Sequence, residues 1–241
     1  MLIKVINPNV TESMTRLIDA SARAAAGPGT RVVVVTNLTG PASIESHYDE
    51  ALSVPGLLGE IARGEPADGY VIACFGDPGL DAAREVASGP VVGIAEAAMR
   101  AATYLGRSFS VVTTLSRTMG RAHELVERYG VSAYCRNVRA CEVPVLELET
   151  DLKARDKILD ECRAALAEDG SEVLVLGCAG MADFCAGLSA ELGVPVVDGV
   201  AAAVAAVEGL VRIGLTTSRI GEYAYPPAKT YVGALEGFGL R

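Results

Sequence analysis

Two of the six cysteines stand where a thiol can serve as an acid or a base. The chain reads Val71-Ile72-Ala73-Cys74-Phe75-Gly76 and, 104 residues later, Val175-Leu176-Gly177-Cys178-Ala179-Gly180. In each segment an aliphatic run ends on the cysteine, and a glycine-containing turn leads into a helical stretch. In open parallel sheets ligands bind outside the carboxyl ends of strands. A helix N-terminus nearby is expected to lower a thiol pKa from its free value of about 8.5. With the two segments facing one another, a thiolate takes a proton from one face of a carbon and the opposite thiol returns one to the other face. The product is the mirror image, and the sulfurs have exchanged roles. Each positioned acid or base contributes about 10²–10⁴-fold. Backbone N–H groups near Gly76 and Gly180 are candidates to stabilise the developing enolate oxygen.

The remaining cysteines have no such setting. Cys135 and Cys141 flank a strand, Cys162 lies within a helical pattern, and Cys185 follows Cys178 on its helix. They read as packing, because a free cysteine ordinarily behaves as a small buried hydrophobe. Cys74 or Cys178 alone would read the same way; their recurrence at equivalent positions separates them. No two cysteines are spaced C-x-x-C, and His47 and His123 complete no zinc pattern, so neither a disulfide framework nor a metal is expected.

Short β-branched runs alternate with helical stretches throughout. Strands are expected at 2–6, 31–36, 70–73, 91–94, 109–113, 138–141, 172–176 and 196–198. Helices are expected near 11–25, 48–63, 78–88, 95–105, 117–129, 151–168, 181–192 and 199–213. Such alternation predicts an α/β fold with parallel sheets. Asp77-Pro78 reads as an N-cap with proline at the first helical position, and Asp198-Gly199 as a second N-cap.

The pattern also repeats. From cysteine to the proline that precedes the following strand is 16 residues in one segment (Cys74 to Pro90) and 17 in the other (Cys178 to Pro195). Upstream, Ile6-Asn7-Pro8-Asn9 ends a strand as Val112-Thr113-Thr114 does, each followed by an amphipathic helix. A duplicated unit is expected: two Rossmann-like parallel-sheet domains related by pseudo-twofold symmetry, with a cleft between them. Residues 1–103 with the returning tail 212–241 form the first, and 104–211 the second.

At the cleft, Asn7 is a candidate to hydrogen-bond a ligand carbonyl, and Thr113 and Thr114 to offer hydroxyls. Phe75 and Met181 are candidate walls, and Ala179 with Gly180 completes the second cysteine turn. His47 with Tyr48 reads as surface.

Composition narrows the function. Half of the residues are apolar and 21% charged, enough for a large core. Lys and Arg number 21 against 30 Asp and Glu, a net charge of −9, which repels nucleic acid and anionic membranes. No apolar run reaches the 18 or so residues a membrane span needs. The N-terminus alternates like a strand and lacks the regions of a signal peptide, so a cytoplasmic protein is expected. No G-x-G-x-x-G follows the first strand, against dinucleotide chemistry. Pyridoxal chemistry needs a Schiff-base lysine, and Lys4, Lys153, Lys157 and Lys229 have no suggestive setting.

The motifs Asn7-Pro8-Asn9, Ala73-Cys74-Phe75-Gly76-Asp77-Pro78-Gly79, Val112-Thr113-Thr114 and Leu176-Gly177-Cys178-Ala179-Gly180-Met181 resemble the hydantoin racemase branch of the aspartate/glutamate racemase superfamily. Allantoin racemases belong to this branch. The resemblance runs over essentially the whole chain, including Val54-Pro55-Gly56-Leu57-Leu58 and the tail Tyr223–Tyr231. It implies cofactor-independent inversion at C5 of a five-membered ring ureide, with Cys74 and Cys178 as the acid/base pair, in a homo-oligomer. It also brings Ser43, on a loop that approaches the substrate in relatives.

Three other readings compete. Relatives that racemise free aspartate or glutamate usually carry Asn-Thr directly after the first cysteine, where this chain has Phe75-Gly76, and no cation for a carboxylate is evident beside either motif. Related decarboxylases typically retain one of the two cysteines. A non-catalytic module would clamp a small molecule and need no reactive thiol.

Overall fold

A computed structural model describes residues 1–239; the last two residues of the expected tail, 240 and 241, lie outside the described residues. The elements alternate strictly. The first half runs β1 (Leu2–Asn7), α1 (Glu12–Ala25), β2 (Arg31–Thr36), α2 (His47–Ala62), β3 (Gly69–Ile72), α3 (Leu80–Val86), β4 (Val91–Gly93) and α4 (Ile94–Leu105). The second runs β5 (Phe109–Thr113), α5 (Met119–Arg128), β6 (Cys135–Ala140), α6 (Ala154–Ala167), β7 (Val173–Leu176), α7 (Cys185–Leu192), β8 (Val196–Val197) and α8 (Gly199–Arg212). The strands form two four-stranded parallel sheets, ordered β2-β1-β3-β4 and β6-β5-β7-β8. The same order in both halves is what a duplicated unit predicts, and the chain is α/β with two Rossmann-like sheets.

Parallel sheets are covered on both faces, so their inner strands are continuous apolar runs. Every residue of β3, β5 and β7 is buried. The edge strand β6 is half-exposed and begins at Cys135, ahead of the expected 138. Its polar start, Cys-Arg-Asn, hides the strand from any hydrophobic pattern.

Two helices change sides. α4 follows the first sheet yet packs on β7 and β8 of the second, while α8 follows the second sheet yet packs on β1, β3 and β4 of the first. One apolar core therefore runs unbroken between the sheets, from Ile72 and Tyr70 through Ala95, Ala98 and Met99 to Val173 and Val175. α4 and α8 cross closely because alanines and glycines face one another there. A Cβ on Gly199 would sit 2.8 Å from the backbone oxygen of Ile94. Gly199→Ala is therefore expected to cost about 1–3 kcal/mol by overpacking, read as a lowered urea midpoint at unchanged m-value.

Caps differ in one instructive place. Asp198 caps α8 as expected, accepting from the Val200 N–H at 2.8 Å. Asp77 does not cap the helix it precedes: α3 begins at Leu80 behind Gly79, and the Asp77 carboxylate turns instead to α4. It accepts from the N–H groups of Ala95 (3.0 Å) and Glu96 (2.9 Å). The left-handed backbone at Asp77 (φ 47°) aims its side chain that way.

The tail returns to the first half. Arg219 donates to the carbonyls of Arg84, Glu85 and Ala87, closing the C-terminal end of α3, and the Tyr223 hydroxyl donates to Asp81 at 3.0 Å.

Candidate active site

Cys74 and Cys178 lie just beyond the carboxyl ends of β3 and β7, the third strands of their halves. Both line one cleft of about 190 Å³ between the sheets. Its apolar walls are Met14, Ile44, Ala73, Phe75, Ala122, Val145 and Ala179. Asn9, Glu45, Ser46, His47, Glu50, Thr113, Thr114, Arg117, Thr118 and Arg121 give it polar atoms. A cleft of this size suits a small polar ring better than an extended ligand.

The thiols do not behave as expected from helix N-termini. Burial pushes Cys74 up to about 12, with Cys178, Glu50 and Asp77 adding repulsion. Burial likewise pushes Cys178 up to about 12. The N–H groups of Gly76 and Gly180 oppose this, each favouring the thiolate of the cysteine two residues before it. One peptide dipole offsets only part of the lost hydration, so desolvation wins and both groups rest as thiols. These N–H groups therefore serve the sulfurs themselves.

The expected site residues divide. Cys74, Phe75, Gly76, Thr113, Thr114, Cys178 and Ala179 line the cleft; Asn7, Ser43 and Gly180 do not. Asn7 is fully buried. Its Nδ2 donates to Asn9 Oδ1 (3.0 Å), the Thr11 carbonyl (3.2 Å) and Thr15 Oγ1 (3.0 Å), so it holds Asn9, which does reach the cleft. Ser43 donates to Glu45 at 3.1 Å, and Glu45 accepts from the Val145 N–H at 2.7 Å. The loop therefore approaches the cleft through Glu45, clasping the second half. Gly180 lies behind Cys178 against Leu148 and Met14. Thr113 donates to the Gly177 carbonyl at 3.3 Å, whereas the Thr114 hydroxyl has no hydrogen bond among the described residues. Met181 is wholly buried in the second half's core and walls nothing.

Three corrections concern residues read as remote or missing. His47 lines the cleft, while Tyr48 is indeed surface, 73% exposed. Two cations reach the cleft, Arg117 and Arg121, although none stands beside either cysteine in the chain. Arg117 is exposed at the edge, and Arg121 pairs with Glu50 at 2.7 Å. Their signal was a helical spacing of four on a polar face, which reads as an ordinary solvated surface. Glu50 is missed for the same reason; burial raises its carboxyl while Arg121 opposes that.

Among the described residues no cluster of three or more His, Cys, Asp or Glu is arranged to hold a metal ion, and no helix is long and apolar enough to cross a membrane. Cys141, Cys162 and Cys185 are buried and Cys135 half-buried, all as free thiols.

The chain resembles known proteins over its full length. It is 50% identical over 242 residues to a hydantoin racemase of a Pseudomonas strain, covering 99% of this chain and 97% of that one. An allantoin racemase from Klebsiella pneumoniae superposes with a TM-score of 0.96 at 49% identity, covering 99% of both chains. One from Pseudomonas fluorescens superposes with a TM-score of 0.94 at 41% identity, covering 97% of this chain and all of the other. The sequence pattern described as Asp/Glu/Hydantoin racemase matches residues 3–207. With its paired cysteine turns on one cleft and these likenesses, the chain belongs to the Asp/Glu/hydantoin racemase family and is an isomerase.

Proposed function

We propose that the enzyme inverts C5 of a five-membered ring ureide, a 5-substituted hydantoin or allantoin, by proton transfer between Cys74 and Cys178 without a cofactor. The observation that carries this reading is the pair of cysteines at matching strand ends, lining one small cleft, each backed by the N–H two residues on. One cysteine acts as thiolate. It takes the C5 proton to become a thiol, and the C–H electrons pass into the ring as an enolate. The opposite thiol then delivers its proton to the other face and is left as thiolate. The Thr114 hydroxyl is the candidate donor to the enolate oxygen, since it alone of the strand-end pair is uncommitted. Phe75, Ala73 and Ala179 exclude water from the thiols, which makes a buried thiolate a stronger base than a solvated one.

Residues 1–103 with 212–241 form one domain in this reading and 104–211 the other, with α4 and α8 exchanged between their sheets. A cytoplasmic homo-oligomer acting on a small molecule, with no nucleic-acid or membrane partner, completes the reading.

The test is polarimetry of the purified protein on enantiopure allantoin and 5-benzylhydantoin, each against an enzyme-free blank. Rotation is expected to decay to zero faster than the blank for at least one. Aspartate and glutamate belong in the same experiment, because Arg117 at the cleft edge could receive a carboxylate. Racemisation of those alone would replace the ring-ureide reading.

Because burial holds both thiols well above neutrality, the active singly ionised pair is scarce at pH 7 and grows as pH rises. Blank-corrected kcat/KM is therefore expected to climb from pH 7 to pH 10, by up to about tenfold per unit. A profile flat across this range would contradict the raised thiols.

A further inference from the structure

Arg121 is the side chain the family reading leaves without work. It stands on α5 in the second half, yet its Nε and Nη2 both donate to the carbonyl of Gly76 in the first, at 3.2 and 2.9 Å. The same guanidinium pairs with Glu50 of α2 at 2.7 Å, and both side chains are largely buried, 23% and 18% exposed. Gly76 is the residue whose N–H favours the Cys74 thiolate. A Cβ on Gly76 would sit 3.6 Å from the Glu50 carboxylate and 3.9 Å from the Cys74 sulfur, so carboxylate and thiol flank one glycine. At Gly180, its counterpart beside Cys178, the three atoms nearest such a Cβ belong to Leu148, Cys178 and Met14, at 3.0, 3.7 and 3.8 Å, and none is a carboxylate.

We propose that Arg121 is a positioning residue for Cys74 alone, fixing the Gly76 turn through its carbonyl and neutralising Glu50 beside the sulfur, whereas no arginine binds the Gly180 turn among the described residues. The pseudo-symmetric site thus has chemically unlike halves. Other charged and titratable groups around Cys74 are Asp77 on its own turn, Cys178 across the cleft, and His47 and Arg117 on the cleft lining, while Glu45 acts on Cys178 and Glu124 pairs with Arg121 at 3.3 Å on its exposed side. Arg121 is the one that touches both the turn and the nearest carboxylate. Without it, Glu50 would stand buried and unpaired next to a developing thiolate, which disfavours that thiolate.

The consequence for catalysis rests on the two-thiol reading, but the assignment itself can be tested apart from it. Iodoacetamide labelling of the full-length protein, resolved by peptide mass spectrometry between pH 7 and 10, reads each thiol separately. In Arg121→Gln, Cys74 is expected to label about tenfold more slowly at a given pH, its profile displaced upward by about one unit. Cys178 is expected to stay within twofold. Adding Glu50→Gln removes the unpaired carboxylate and should restore most of the Cys74 rate, which a merely structural loss would not permit. Arg121→Lys, keeping the charge with fewer donors, should fall between. Equal slowing at both thiols, no change at Cys74, or no restoration in the double variant would overturn the proposal. A second arm places Arg121→Gln in each single-cysteine protein. C5 proton exchange through Cys74 should fall about tenfold, and exchange through Cys178 should hold. If neither single-cysteine protein exchanges, the two-thiol reading fails while the labelling result still judges Arg121.

Discussion

Cys74→Ser and Cys178→Ser are each expected to lower racemisation by about 10³-fold or more, while leaving half of the chemistry in place. A serine hydroxyl neither accepts nor yields a proton readily at these pH values, so loss of one partner should approach the upper end of what an acid/base group contributes. The surviving cysteine still reaches one face of C5. It can remove a proton and return a deuteron to the same face, so each variant should wash deuterium into one enantiomer without inverting it. The decisive feature is opposition: the two variants must exchange opposite enantiomers. Proton NMR in deuterated buffer, with each enantiomer of the active substrate, reads this directly. Full turnover in either variant would remove the two-thiol mechanism. Exchange of the same enantiomer by both would mean that the sulfurs do not flank the ring.

The second large effect is expected away from the sulfurs, at Asp77. Its side chain is buried and receives the N–H groups of Ala95 and Glu96 together with the Tyr129 hydroxyl at 2.6 Å. Three elements meet on it: the Cys74 turn, the first turn of α4, and the end of α5. Burial raises its carboxyl to about 6, so at neutral pH it is ionised and accepts all three bonds. The carboxyl fills the space a Cβ on Gly93 would take, which is why that strand ends in glycine. Asp77→Ala leaves two helix N–H groups and a phenol unpaired in a buried place. Each unsatisfied group costs about 1–3 kcal/mol, so a loss of at least about 3 kcal/mol in urea denaturation is expected. Tyr129→Phe removes one donor only and should cost about 1–2 kcal/mol. Activity should drop in Asp77→Ala even where the protein remains folded, because the Cys74 turn loses its anchor. A change of stability below about 1 kcal/mol would mean that the three bonds matter little to the fold.

Much of this protein is legible along the chain. Seven of the eight strands begin within one residue of their expected starts, and β6 is the exception because its first residues are polar and at an edge. The repeat around Cys74 and Cys178 implies two sheets of one order, and the sheets have that order; the Val112-Thr113-Thr114 strand end does border the cleft. Asn7 ends β1 as expected but lies outside the cleft lining, its amide engaged in holding Asn9.

Signals of this kind are short in range. Apolar periodicity, turn residues and a strand that ends on a thiol all arise within a dozen residues, so a linear reading captures them. What the tertiary structure decided came from one half acting on the other. α4 and α8 exchange sheets, Arg121 and Tyr129 of the second half grip the Cys74 turn, and Glu45 clasps Val145. The thiol pKa values were settled there too, because desolvation depends on every atom that surrounds a sulfur. A neighbouring helix end, visible in sequence, contributes one dipole; placement between two sheets strips enough water from the half-buried thiols to outweigh it.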